Sequence, residues 1–130
     1  MVRLDFGEEV IETLTAYLGE QGFEGGVITG IGAVHRTTLG FFDLPSREYQ
    51  RREFPEEMEL INFTANITRV DGAPFIHAHA TISGADYAAR SGHLFAATVA
   101  VTGEFFIWPA PLALGRSLDE RTGLKLISGG

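Results

Sequence analysis

Residues 74–93 read PFIHAHATISGADYAARSGH and contain His77, His79 and His93, three of the four histidines in the chain. The first half of this stretch has the composition of a β-strand. Successive side chains of a strand point to opposite faces, so His77 and His79 share one face, about 6.5 to 7 Å apart along the backbone. Two imidazoles in this arrangement can bind the same metal ion.

His93 is the candidate third ligand, because it follows Ser91-Gly92, where a tight turn can return the chain toward the strand. Three histidines that leave one position open are typical of a reactive zinc rather than a structural one. We therefore predict a Zn²⁺ site made by His77, His79 and His93. The alternative is a pair of imidazoles on a solvated strand face. The apolar neighbours 75, 76, 78, 80 and 82 favour the metal, because a largely buried strand requires partners for its histidines.

The segment before the histidines predicts a β-hairpin. Residues 58–68 form a long β-type run, and the Asp71-Gly72 dipeptide is a hairpin-turn signature. Glu59 and Asn62 are then candidates to lie opposite the histidines, where a carboxylate orients an imidazole or acts as a general base on metal-bound water. Glu59 is the predicted catalytic residue, and an ordinary exposed strand glutamate is the alternative. His35 is considered as a fourth metal ligand, against a surface or hydrogen-bonded histidine.

Other segments predict a sheet with a helix packed on it. Apolar residues at positions 10, 11, 14, 17 and 18 form the stripe of an amphipathic helix. Residues 25–34 are rich in glycine. They lack the Gly-Lys-Ser/Thr ending of a P-loop and the glycine spacing of a dinucleotide-binding turn, so the glycines indicate a bulge or close packing beside a strand. Residues 94–101 fit either a strand or a short buried helix. No second-domain boundary is visible, and we predict a single domain over residues 1–130.

The composition excludes several classes of protein. The 130 residues include no cysteine, which rules out disulfide scaffolds and thiolate ligands, and no apolar run long enough to cross a bilayer, so we expect a soluble cytoplasmic protein with no membrane partner. The net charge of −7 argues against a surface that wraps polyanions. The basic cluster Arg47, Arg51 and Arg52 is diluted by neighbouring glutamates.

Several segments together carry a family resemblance: RLDFGEEVIETL, GVITGIGAV, TLGFFD, EYQRREF followed by MELINFTANI, DGAPFIHAHATIS and SGHLFAATVAVTGEFFI. In this order, over about residues 3–108, they resemble the plant and prokaryote conserved (PPC) domain family. The resemblance implies an α+β fold with a mostly antiparallel sheet flanked by helices, assembled as a homotrimer. It also implies zinc binding, since similar prokaryotic single-domain members carry the histidine pattern matched by His77, His79 and His93. The Arg-Gly-Arg-Pro AT-hook of the plant relatives does not occur here.

Three functions are compatible with these features. The first is a metal-dependent enzyme or small-molecule binder, in which zinc polarises a carbonyl or lowers the pKa of a bound water. The second is a regulatory protein that binds DNA or a transcription partner as a trimer, using Arg47, Arg51 and Arg52 or Arg90. The third is an oligomeric scaffold in which the histidines have only a structural role.

Overall fold

The computed structural model describes residues 1–128, so the last two residues of the predicted domain lie outside it. The structure contains one helix and eight strands in these residues. In chain order they are β1 (Val2–Leu4), α1 (Val10–Gln21), β2 (Gly26–Asp43), β3 (Glu48–Phe54), β4 (Met58–Val70), β5 (Ala73–Ser83), β6 (Ala89–Pro109), β7 (Gly115–Leu118) and β8 (Lys125–Ser128).

The strands form one sheet that closes on itself. Strand β2 pairs with both β4 and β6, and β5 also pairs with both β4 and β6, so these four strands form a ring of hydrogen-bonded neighbours. Strand β3 extends the ring beside β2, β1 lies beside β6, and β7 continues from β4 to β8. Only the β4–β7 contact is parallel among the described strands. The predicted α+β class with a mostly antiparallel sheet is confirmed.

The single helix α1 begins and ends at identifiable caps. The Glu9 side chain accepts a hydrogen bond from the Glu12 backbone N–H, and Gly22 ends the helix in the left-handed conformation with φ 69°. The buried stripe is Val10, Leu14 and Leu18, which packs against β5 and β6. No helix in the described part of the chain is long and apolar enough to span a bilayer.

The expectation of more than one helix beside the sheet is wrong, because α1 is the only helix within residues 1–128. Residues 94–101, which fit either a strand or a helix, lie in strand β6 and pair with β2. The paired backbone satisfies their hydrogen bonds, and the β-branched Thr98, Val99 and Val101 suit an extended chain better than a helix.

The predicted hairpin is present, and one of its faces lines the core. Asp71 and Gly72 make the turn with φ 51° and 83°, and β4 and β5 pair antiparallel on either side of it. The inward side chains of β5 are buried, and they are Ile76, Ala78, Ala80 and Ile82. The histidines point to the other face, where His77 is half-buried and His79 is exposed, so the strand expected to be largely buried is buried on one face only.

The centre of the core is an aromatic pair. Phe63 and Phe105 are fully buried, and their rings meet edge to face at 5.1 Å between centroids. Gly30 makes this possible, because a Cβ atom there would lie 2.3 Å from the Phe105 ring. The glycine-rich segment therefore serves close packing, as the sequence predicts.

Candidate metal site

Strand pairing brings the three histidines together on the outer face of the sheet. His79 lies directly opposite His93 in the β5–β6 register, and His77 precedes His79 by two residues on the same face. The ring centroids are 5.0 to 5.6 Å apart, and one ligand atom from each imidazole lies within 4.8 Å of the others. The three side chains converge as the sequence predicts, and their assignment as metal ligands stays a prediction.

The route by which His93 reaches the cluster differs from the prediction. Ser91 and Gly92 are not a turn but belong to β6, opposite Thr81 and Ala80. Gly92 also lies close to the backbone of β2, since a Cβ atom there would come 2.8 Å from the Gly40 carbonyl oxygen. His93 is therefore fixed by β-sheet pairing on both sides.

The cluster fits a zinc ion in its chemistry. Nitrogen ligands about 2 Å from a tetrahedral zinc lie about 3.3 Å from one another, so modest rotation of the rings closes the observed spacing. The Nδ1 atom of His93 is buried and has no hydrogen-bond partner. A buried nitrogen without a partner is costly. A metal bound through Nδ1 would remove this cost.

The surroundings of His77 and His93 favour the neutral imidazole, which is the form that binds metals. Burial, the largest cause, and the neighbouring histidines, Arg51 and Arg116 together lower the pKa of His93 to about 4. Burial also lowers the pKa of His77, and Arg116 and His79 contribute to this shift. At neutral pH, protons therefore compete weakly with a metal for these two ligands.

Arg116 on β7 is part of the site, although the sequence analysis did not select it. Its Nε donates to the Thr68 hydroxyl at 2.8 Å, and its Nη2 donates to Asn66 Oδ1 at 2.8 Å. The same Nη2 lies 3.3 Å from His77 Nδ1, and Nη1 donates to the Lys125 carbonyl at 2.9 Å. These contacts fix the guanidinium at the edge of the histidine cluster.

An aromatic wall forms the side of the cluster next to His93. The Tyr49 ring lies 5.0 Å from the His93 ring and 4.9 Å from the Phe95 ring, and the Arg51 guanidinium covers Phe95 at 3.8 Å. Gly40 allows this packing, because a Cβ atom there would be 2.4 Å from the Phe95 ring. The side chains of β3 and β6 thus partly enclose the histidines.

The sequence profile of the Plants and Prokaryotes Conserved (PCC) domain matches residues 1–111. The chain belongs to this family. The resemblance to the plant and prokaryote conserved domain found in the sequence is therefore confirmed. No curated protein matches the chain.

Solved structures similar to this PCC-domain protein cover nearly all of it. A metal-containing protein from Archaeoglobus fulgidus is 33% identical, with a TM-score of 0.91, and the match covers 98% of this chain and 91% of the other. A candidate DNA-binding protein from Bacteroides thetaiotaomicron is 32% identical, with a TM-score of 0.93 and coverage of 97% and 88%. A plant- and prokaryote-conserved protein from Pyrococcus horikoshii is 27% identical, with a TM-score of 0.91 and coverage of 98% and 89%.

Glu59 of the PCC-domain protein is not brought to the histidines. It pairs with Ser83, four residues beyond His79, which corresponds to about 13 Å along the strand. The residues opposite His77 and His79 are Asn66 and Thr64. The assignment of Glu59 as a general base stays a prediction.

The remaining sequence candidates lie outside the cluster. Asn62 pairs with Thr81. His35 pairs with Thr98 and stacks on Phe6 with ring centroids 6.4 Å apart. The group in residues 1–128 that could hold a metal ion contains the other three histidines and not His35.

The arginines considered for DNA contacts are partly engaged within the PCC domain. Arg90 forms an ion pair with Asp86 at 2.6 Å, and Arg52 lies over the Phe54 ring at 5.2 Å. Arg47 is 3.4 Å from the Glu120 carbonyl oxygen. Together with Arg51 on Phe95, these side chains are held by neighbours rather than extended as an unbroken basic surface.

Proposed function

We propose that this protein binds one zinc ion through His77, His79 and His93 and uses the open coordination position to bind or activate a small molecule. The observation that carries the proposal is the convergence of three imidazoles within 4.8 Å on an accessible face of the sheet. Structural zinc sites are closed by four protein ligands, whereas catalytic sites have three and keep one position for water or substrate. The similarity to a metal-containing archaeal protein supports this interpretation.

The bound metal would supply Lewis acidity at the open position. The chain's own residues have separate roles around it. The three imidazoles hold the ion, and the wall of Tyr49 and Phe95 restricts water on one side. Glu59 is retained as the proposed general base, and at about 13 Å along the strand from His79 it would act only through a ligand or bridging water. Tyr49 lies much nearer, against His93.

Cobalt substitution tests the open position directly. Protein treated with a chelator and reloaded with Co²⁺ is expected to take up one cobalt per chain and to show visible absorption bands of a low-coordinate site. Azide, a small ligand for cobalt, is expected to shift these bands by occupying the open position. Failure to take up cobalt would rule out the site, and a spectrum insensitive to azide would indicate a closed, structural metal.

We also propose that the protein assembles as a homotrimer, as the family resemblance implies. An exposed apolar face supports self-association, since large hydrophobic side chains on β2, β4 and β6 are at least 45% exposed. They are Val27, Ile31, Ile61, Val101, Phe106 and Trp108. Light scattering coupled to size-exclusion chromatography is expected to give three times the mass of the chain, and a monomer mass would contradict the proposal.

DNA binding is the second candidate function. Arg51 and Arg52 on exposed β3 and the similarity to a candidate DNA-binding protein favour it, whereas the net charge of −7 opposes it. A gel-shift titration against duplex DNA at moderate salt distinguishes the two functions. A complex that weakens with salt and with Arg51→Gln and Arg52→Gln would support DNA binding, and no complex at tens of micromolar protein would exclude it.

A further inference from the structure

We infer that the histidine cluster, once it holds its metal, is a binding site for a small organic carboxylate, with Arg116 as the residue that recognises the anion. This inference rests on the proposed function, because it assigns a ligand class to the same open coordination position. It is carried by the charges around the cluster, by the hydrogen bonds of Arg116 and by the apolar wall beside His93.

Positive charge accumulates at this site although the chain as a whole carries −7. Arg116 touches His77, and Arg51 stacks on Phe95, which in turn packs against His93 at 4.7 Å between ring centroids. The positively charged side chains that act on His93 are Arg51 and Arg116. Neutral imidazole ligands do not cancel the charge of a divalent metal. An anion in the open position is therefore strongly favoured over a neutral ligand.

Metal ligation by His77 changes what Arg116 can bind. A neutral imidazole has one nitrogen with a lone pair and one N–H, and a guanidinium only donates. If the metal takes Nδ1 of His77, Arg116 loses this acceptor. If the metal takes Nε2, the proton moves to Nδ1, which again cannot accept from Arg116. In both cases an Nη2 hydrogen of Arg116 loses the His77 acceptor.

The other contacts of Arg116 hold it in place when that hydrogen is released. Thr68, Asn66 and the Lys125 carbonyl each accept from the guanidinium at 2.8 to 2.9 Å. The planar guanidinium therefore stays at the edge of the cluster with a donor available to a second ligand atom. One oxygen of a carboxylate on the metal and the other on Arg116 satisfy both groups at once.

The surroundings favour an organic carboxylate over a bare inorganic anion. The Tyr49 and Phe95 rings border His93, and the Phe75 ring lies 5.2 Å from the Arg116 guanidinium. These rings offer apolar surface to a short carbon chain and, at Tyr49, a hydroxyl for one further polar group. His77 and His93 are half-buried and His79 is exposed, so a small molecule can reach the open position.

Acetate and acetamide form a matched pair of probes, since they have the same shape and differ in charge. In cobalt-loaded protein, acetate is expected to shift the visible bands with saturation, and acetamide is not. Arg116→Gln is expected to weaken acetate binding about tenfold to a hundredfold, the loss of one charge-assisted hydrogen bond. Arg90→Gln, which removes an arginine engaged with Asp86, is the control and should leave acetate binding unchanged.

Cobalt content is measured for every variant. If Arg116→Gln fails to hold one cobalt per chain, Arg116→Lys replaces it. The lysine keeps the charge but loses the planar pair of donors, so weaker acetate binding is again expected.

Three outcomes would overturn the inference. They are equal affinity for acetate in wild type and variant, equal binding of acetamide and acetate, and tighter binding of inorganic phosphate than of acetate. A shift of the visible bands caused by duplex DNA but not by acetate, and dependent on Arg116, would overturn it too. Wild-type protein that takes up cobalt and binds azide but not acetate would refute this inference and leave the proposed function intact. Wild-type protein without cobalt would refute both.

Discussion

Replacing His77, His79 and His93 together by alanine is expected to reduce bound zinc from about one ion per chain to background. Each imidazole supplies one of only three protein ligands, and two or fewer ligands do not hold zinc against dilution or a weak chelator. The fold should survive, because these side chains lie on the outer face of the sheet while Ile76, Ala78 and Ala80 on β5 fill the core. Elemental analysis of protein purified without chelator measures the loss.

His35→Ala is the matched control, since it removes the one histidine outside the cluster. It should leave the zinc content unchanged. The thermal unfolding midpoint of the triple variant is compared with that of chelator-treated wild type, and the two should agree within a few degrees. An unchanged zinc content in the triple variant would show that the metal, if present, is bound elsewhere.

Phe105→Ala is expected to destabilise the protein by about 3 to 5 kcal/mol. Phe105 is fully buried on β6 and packs edge to face against Phe63, and Gly30 lies directly under its ring. Truncation removes the buried ring surface and leaves a cavity that a closed ring of four strands cannot fill by moving. Chemical denaturation in urea measures the change as a lower unfolding midpoint.

Phe106→Ala is the control for this prediction, because the same side chain is removed from the next residue. Phe106 is 51% exposed and points to the opposite face of β6. Its replacement should cost less than about 1 kcal/mol in a sample dilute enough to be monomeric. Equal losses for the two variants would contradict the assignment of the two faces of β6.

The sequence was sufficient to place His77 and His79 together because that information is local, whereas His93 reaches them by β5–β6 pairing and not by the predicted turn. Alternation on β5 places His77 and His79 on one face, and the Asp71-Gly72 turn specifies an antiparallel hairpin. The same two-residue turn also specifies the register, in which Asn66 lies opposite His77. Asn66 was therefore within reach of sequence reasoning, whereas the choice of Glu59 ignored the register that the turn imposes.

The contacts of Arg116 and Tyr49 with the histidines could not be predicted from the sequence, for a physical reason. Arg116 reaches His77 only because the short strand β7 pairs in parallel with β4, through Arg69 and Gly115, which are 46 positions apart in the sequence. Tyr49 approaches His93 because Gly40, on the intervening strand β2, has no side chain. Both contacts depend on long-range strand pairing that no local periodicity encodes. The expectation of more than one helix came from the family resemblance, whereas the residues themselves predicted the one helix that is present, α1.

The most direct test of the central claim is anomalous diffraction at the zinc absorption edge from crystals of protein purified without chelator. We predict one anomalous peak per chain, about 2 Å from a ring nitrogen of each of His77, His79 and His93, with non-protein density at a fourth coordination position. No peak in protein shown to contain zinc by elemental analysis, or a peak bound by other residues, would contradict the account.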